Sequence, residues 1–277
     1  MSGLATADGP AQAVPARERT RAWSTVAAQE CREVWVGGRG PVLVFAFSLL
    51  LSVVTYLVAT GAVLNYLEQR ETVSLLVQVA VGVGVLVALV VSADAVSGER
   101  ERATLETLLL APVRRRDIAA GKLLAVLSLW LAALCVTVPY VWVLGRGVGL
   151  VGEDLLAGAV VGTLLAVGLA ALGMVVSGLS SSNRMSLATS FFVLLALFAP
   201  TQLPANATQG WLGDLFVRVN PVAAGEHYLG AVLVSGHGWT QDLSYLVSPL
   251  LSAAVGSAVL VVAADRLVRL EPGGRDR

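Results

Sequence analysis

Residues Val73–Val96 read VSLLVQVAVGVGVLVALVVSADAV, 24 positions with a single ionisable side chain, Asp94, close to the end. At about 1.5 Å of rise per residue, a helix of this length crosses a hydrocarbon core of roughly 30 Å. Apolar and polar residues do not alternate with a period of two, so the run reads as a helix rather than a strand of a barrel. In lipid those two structures alone satisfy every backbone polar group. Five more runs have the same character: Pro41–Thr60, Leu123–Leu144, Leu155–Val176, Ser186–Leu203 and Leu243–Ala264. The expectation is an all-α polytopic membrane protein with six transmembrane helices.

Composition agrees. Of 277 residues, 56% are hydrophobic and 14% charged, and the mean hydropathy is +0.76. A chain this apolar cannot clothe a soluble domain in polar side chains. The formal net charge is +0, so no overall field attracts nucleic acid, and none is expected as a partner. Two cysteines, Cys31 and Cys135, make no disulfide framework, and two histidines, His227 and His237, make no metal cluster. No metal or cofactor is expected on the chain.

The basic residues set an orientation. With the N-terminus inside, the inner segments hold sixteen of the nineteen, and only Arg70, Arg146 and Arg218 fall outside. That asymmetry predicts cytoplasmic termini. Within the six runs Asp94 is the only charge. An ion-coupled carrier usually keeps an ionisable group near the midplane, so energy for uphill transport is expected from another chain. Gly158, Gly162, Ala166 and Ala170 form a small-residue stripe suited to close helix contact, either within the chain or between subunits. Pro139 is expected to kink the third run.

Between the second and third runs lies Ser97-Gly-Glu-Arg-Glu-Arg-Ala-Thr-Leu-Glu-Thr-Leu-Leu-Leu-Ala-Pro-Val-Arg-Arg-Arg-Asp-Ile-Ala-Ala-Gly-Lys122. Glu99 to Leu110 reads as a short helix with Leu105, Leu108 and Leu109 on one stripe. Pro112 ends it, and Asp117 is positioned to cap the helix that follows. One reading lays this helix in the headgroups, with Arg114, Arg115 and Arg116 on anionic lipid. The other docks its leucines in a groove on a soluble partner. Glu99, Glu101 and Glu106 favour the second, because an anionic membrane surface repels them.

This loop resembles the characteristic loop of type-2 ABC transporter permeases, E-x-E-x-G-T-L-E-x-L-L-x-x-P-x-x-R followed by G-K. Glu99, Glu101, Thr104, Leu105, Glu106, Leu108, Leu109, Pro112, Gly121 and Lys122 match, and Ala103 stands where glycine is usual. The resemblance, which with the six-span layout covers nearly the whole chain after residue 17, implies that Glu99, Glu101, Thr104, Leu105, Glu106, Leu108, Leu109 and Pro112 form a coupling helix docking on an ABC ATP-binding subunit. It further implies a second permease chain in the working unit, ATP and Mg bound on the partner subunit, and an exporter in the cell membrane of a prokaryote.

The expected organisation is a disordered tail over 1–16, without the pattern of a secretory leader, and an interfacial elbow helix over 17–40. A six-helix domain then spans 41–264, with the coupling loop at 97–122 and an outer helical loop at 204–242. A cytoplasmic tail covers 265–277. On the elbow helix Trp23, Val26, Ala27, Cys31 and Val34 make the apolar face, with Arg19, Glu30, Arg32 and Glu33 as its charges. In the outer loop Glu226 and His227 read as a solvated helix face. Gly121-Lys122 is no Walker A loop, since Arg116 replaces the glycine and Leu123 the Ser/Thr. The chain is therefore expected not to be an enzyme by itself. The rival readings are an ion-coupled secondary carrier and a non-transporting membrane scaffold.

Overall fold

The computed structural model describes residues 16–61, 66–102, 114–146, 151–202 and 210–267. Among the described residues every regular element is helical, and six helical stretches are long and apolar enough to cross a membrane. They are Arg39–Thr60, Glu71–Glu101, Arg115–Gly145, Val151–Leu179, Asn183–Gln202 and Leu243–Ala264, here called the first to sixth spans. An N-terminal helix, Ala16–Val36, precedes them. Gly38 makes the turn into the first span with φ +81, a left-handed conformation that costs glycine little.

The second and fourth spans form the centre. Of their most apolar windows 56% is buried, against 11% in the first span and 17% in the sixth. Lipid gives helices no hydrophobic drive to associate, so close packing of small residues must hold the bundle. Trp130 of the third span is the wedge: its ring lies against Gly84 of the second span and Gly162 of the fourth, and its indole N–H donates to Thr163 Oγ1 at 3.0 Å. A Cβ at Gly162 would overlap that ring, and one at Gly158 would come within 2.6 Å of Val77. With Ala166 and Ala170 also buried inside the chain, the small-residue stripe serves intramolecular packing, not a subunit contact.

Two local expectations change, at the start of the third helix and at the end of the fifth. The third helix begins at Arg115, eight residues before the apolar run, with extended Arg114 as its cap. Asp117 is therefore in the first turn, where a carboxylate still favours the helix dipole. The helix runs through Pro139 without a break. The fifth helix ends at Phe198 and tightens into a 3-10 turn, Ala199–Gln202, around Pro200.

Two short helices, Trp211–Val219 and Pro221–Leu233, cover the far end of the bundle, within the loop 204–242 expected to be helical. Asn220 joins them. Its side-chain oxygen accepts from the N–H groups of Val222 and Ala223, and its Nδ2 donates to the Leu197 carbonyl at 2.8 Å. Pro221 at the first helical position loses nothing, because that N–H has no partner in a helix anyway.

Candidate functional site

The long helix of the second span ends at Asp94, turns, and resumes as a five-residue helix, Ser97–Glu101, the start of the loop singled out by its sequence. The turn exposes two backbone N–H groups that a continuous helix would have used. Ser177 of the fourth span takes both: its Oγ accepts from Val96 N at 3.1 Å and Ser97 N at 2.9 Å. A buried N–H left unpaired costs about 1–3 kcal/mol, so this hydroxyl sustains the turn. Gly98 is needed beside it, since a Cβ there would overlap the Asp94 carboxylate.

Glu99 and Glu101 lie two positions apart and reach opposite flanks. Glu99 points to Lys122, whose ammonium donates to Glu99 Oε1 and, at 3.0 Å, to Glu30 Oε2 of the N-terminal helix. Lys122 is 3% exposed, with Gly121 beside it against Val26 and Ala27 of the N-terminal helix. Removing one partner from such a buried set is costly, because the charges left behind have lost their water. Burial pushes the Glu30 carboxyl above its ordinary range; the Lys122 charge pulls it back down, and the neighbouring Glu99 raises it further. Carboxylate oxygens of Glu30, Glu33 and Glu99 lie within 4.8 Å of one another, a spacing that suits a cation. The Lys122 ammonium supplies one.

On the other flank Glu101 Oε1 accepts from the backbone N–H of Asn183 at 2.7 Å. Asn183 is the first residue of the fifth helix, so the carboxylate meets an orphan donor at the positive end of a helix dipole. Asn183 also donates from Nδ2 to Asp94 Oδ1 at 2.7 Å. Arg100 Nη1 donates to the Ser180 carbonyl at 2.9 Å. Asp94 Oδ2 pairs with Arg39 at 2.8 Å and Arg102 at 3.1 Å. The base of the loop is thus gripped by the N-terminal helix, the third span and the turn between the fourth and fifth.

Of the predicted loop residues, Glu99 and Glu101 belong to this grip. Thr104, Leu105, Glu106, Leu108, Leu109 and Pro112 lie outside the described residues. Glu30, read from the sequence as one of the charges of the elbow helix, is 8% exposed, because Val26, Glu30 and Val34 recur at four-residue intervals and share the inward face. That spacing was a usable signal. Nothing in the sequence marked Ser177 or Asn183, whose partners lie 80 or more positions away.

At the far end, His227 is exposed and its ring lies 4.2 Å from that of Tyr245. Glu226 is half-buried and faces a cleft between the second and fifth spans, so the solvated-face reading holds for His227 alone.

Fold and site together define a polytopic helical membrane protein with an anchored loop at its basic end. The match to the model of the ABC-2 family transporter protein over residues 24–260 takes in both, and the chain belongs to that family. It is an ABC transporter membrane component, of a permease family whose domain lacks an ATPase and whose members generally pair with an ATP-binding subunit. No curated protein matches the chain.

Proposed function

We propose that this chain is the translocating subunit of an ATP-driven exporter, working with a second permease chain and a separate ATP-binding subunit that carries ATP and Mg. The basic end of the bundle is read as cytoplasmic. The segment 99–112 is read as the dock for the ATPase, with Leu108 and Leu109 as its anchors. The observation that carries this reading is the grip on Ser97–Glu101. A push on the loop reaches the third span and the N-terminal helix through Glu99–Lys122–Glu30, and the fifth span through Glu101–Asn183. A loop that merely rested on lipid would need neither link. Glu99 and Glu101 accordingly transmit the motion, and the leucines receive it.

The test is co-purification. Leu108→Ala with Leu109→Ala truncates the two anchors of the dock, and such a truncation costs roughly 2–5 kcal/mol for each tightly packed apolar side chain. The double variant is expected to insert in the membrane and elute as the wild type, but to lose the ATPase subunit and transport. Unchanged ATPase affinity in that variant would refute the docking role and favour the interfacial helix.

A further inference from the structure

A cleft of about 380 Å³ opens between the second and fifth spans, in the half of the bundle away from the anchored loop. Its size is that of a site for a small organic molecule. Leu75, Val79, Val83, Leu86, Leu194 and Phe198 make its apolar walls. Polar groups gather toward one side: Gln78, Thr201, Gln202 and Glu226. Glu226 reaches the cleft from the Pro221–Leu233 helix, which is held in place by the Asn220 cap and by the burial of Tyr228, Leu229 and Leu233.

Glu226 is the one ionisable group among the lining residues. Thr201 is its polar neighbour and offsets part of the effect of burial, and among the described residues no basic side chain is paired with it. Burial accordingly raises its carboxyl above the ordinary value. A carboxylate is expensive to hold against apolar walls without a counter-charge. Such groups at membrane sites mark places where a charge is recognised.

We propose that this cleft binds a monovalent organic cation with an apolar body, its positive group against Glu226 and its body along Val79, Val83, Leu86 and Leu194. One carboxylate matches one positive charge, and the apolar walls exclude a small hydrated ion. The inference deepens the exporter reading by assigning a substrate class, but binding is measured without the ATPase, so loss of the docking interaction leaves this test intact.

Full-length permease in lipid nanodiscs is dialysed against tetraphenylphosphonium, with empty nanodiscs as the blank. Tetraphenylborate, alike in shape and opposite in charge, is the control. Wild type is expected to bind the cation saturably and the anion not at all. Glu226→Gln, nearly isosteric, should weaken cation binding about tenfold or more, the scale of one charge-assisted contact. Glu226→Asp should retain most of it. Gly82→Leu leaves the carboxylate in place and fills the cleft; a Cβ at Gly82 has room, 3.4 Å from Phe198. That variant should lose binding as well. Glu226→Gln and Gly82→Leu both binding the cation as wild type does, or no saturable binding by wild type, overturns the proposal.

Discussion

Replacing Lys122 by methionine keeps the length of the side chain and removes its charge. Lys122 is 3% exposed, Glu30 10% and Glu99 12%, measured on the side chains, so the carboxylates left behind are poorly hydrated. They also face each other, with Glu33 alongside, within 4.8 Å. Removing one partner of a buried ion pair costs about 3–5 kcal/mol, and we expect Lys122→Met to lose that much in detergent, read by thermal or denaturant unfolding. Replacing the whole set behaves differently. With Glu30→Gln and Glu99→Gln added to Lys122→Met, no unmatched charge remains, and most of the loss should return. The pH dependence has a definite sign. A carboxyl whose folded pKa is raised binds its proton more tightly in the folded state, so protonation stabilises the fold. Lys122 holds the Glu30 carboxyl down against burial, so its removal raises that carboxyl further. The deficit of Lys122→Met is therefore full above the raised value and shrinks as pH falls through it. Stability of Lys122→Met within about 0.5 kcal/mol of wild type, a size typical of surface changes, refutes the reasoning. So does a triple variant no better than the single one.

Two further outcomes are expected. Gly162→Leu should destabilise the bundle by about 1–3 kcal/mol through overpacking against Trp130, and a normal melting profile in that variant would show that the wedge gives way freely. A reporter active only outside the cytoplasm should work when inserted at Gly238, where no other atom lies within 4 Å of an added Cβ, and fail when fused after Arg277; the reverse pattern inverts the proposed orientation.

Much of the architecture was legible in the residues. Spans of 18 to 24 apolar positions report themselves, because lipid leaves the backbone no option but internal hydrogen bonding. The loop 97–122 was legible because its Glu, Leu, Pro and Gly-Lys positions stand at fixed short spacings, and the family match over 24–260 agrees with that reading. The outer helices were expected within the loop 204–242, and the cap of the second one, at Asn220, uses neighbouring atoms.

Tertiary structure decided the direction in which each charge faces. Glu30 and Glu33 are both glutamates on one helix, yet Glu30 is buried against Lys122 and Glu33 exposed, because the helix packs on the third span along the line of Val26 and Glu30. Glu226 and His227 are neighbours, but one faces the cleft and the other does not, according to how the Pro221–Leu233 helix lies across the second and fifth spans. Composition and periodicity are local properties of the chain, and they determine what can enter a membrane and where a helix stops. Which carboxylate meets a lysine 92 positions away, and which meets an open cleft, depends on helices packed side by side. That depends in turn on glycines that admit a neighbour and a Trp130 ring that fills the space, contacts that exist only once the bundle has closed.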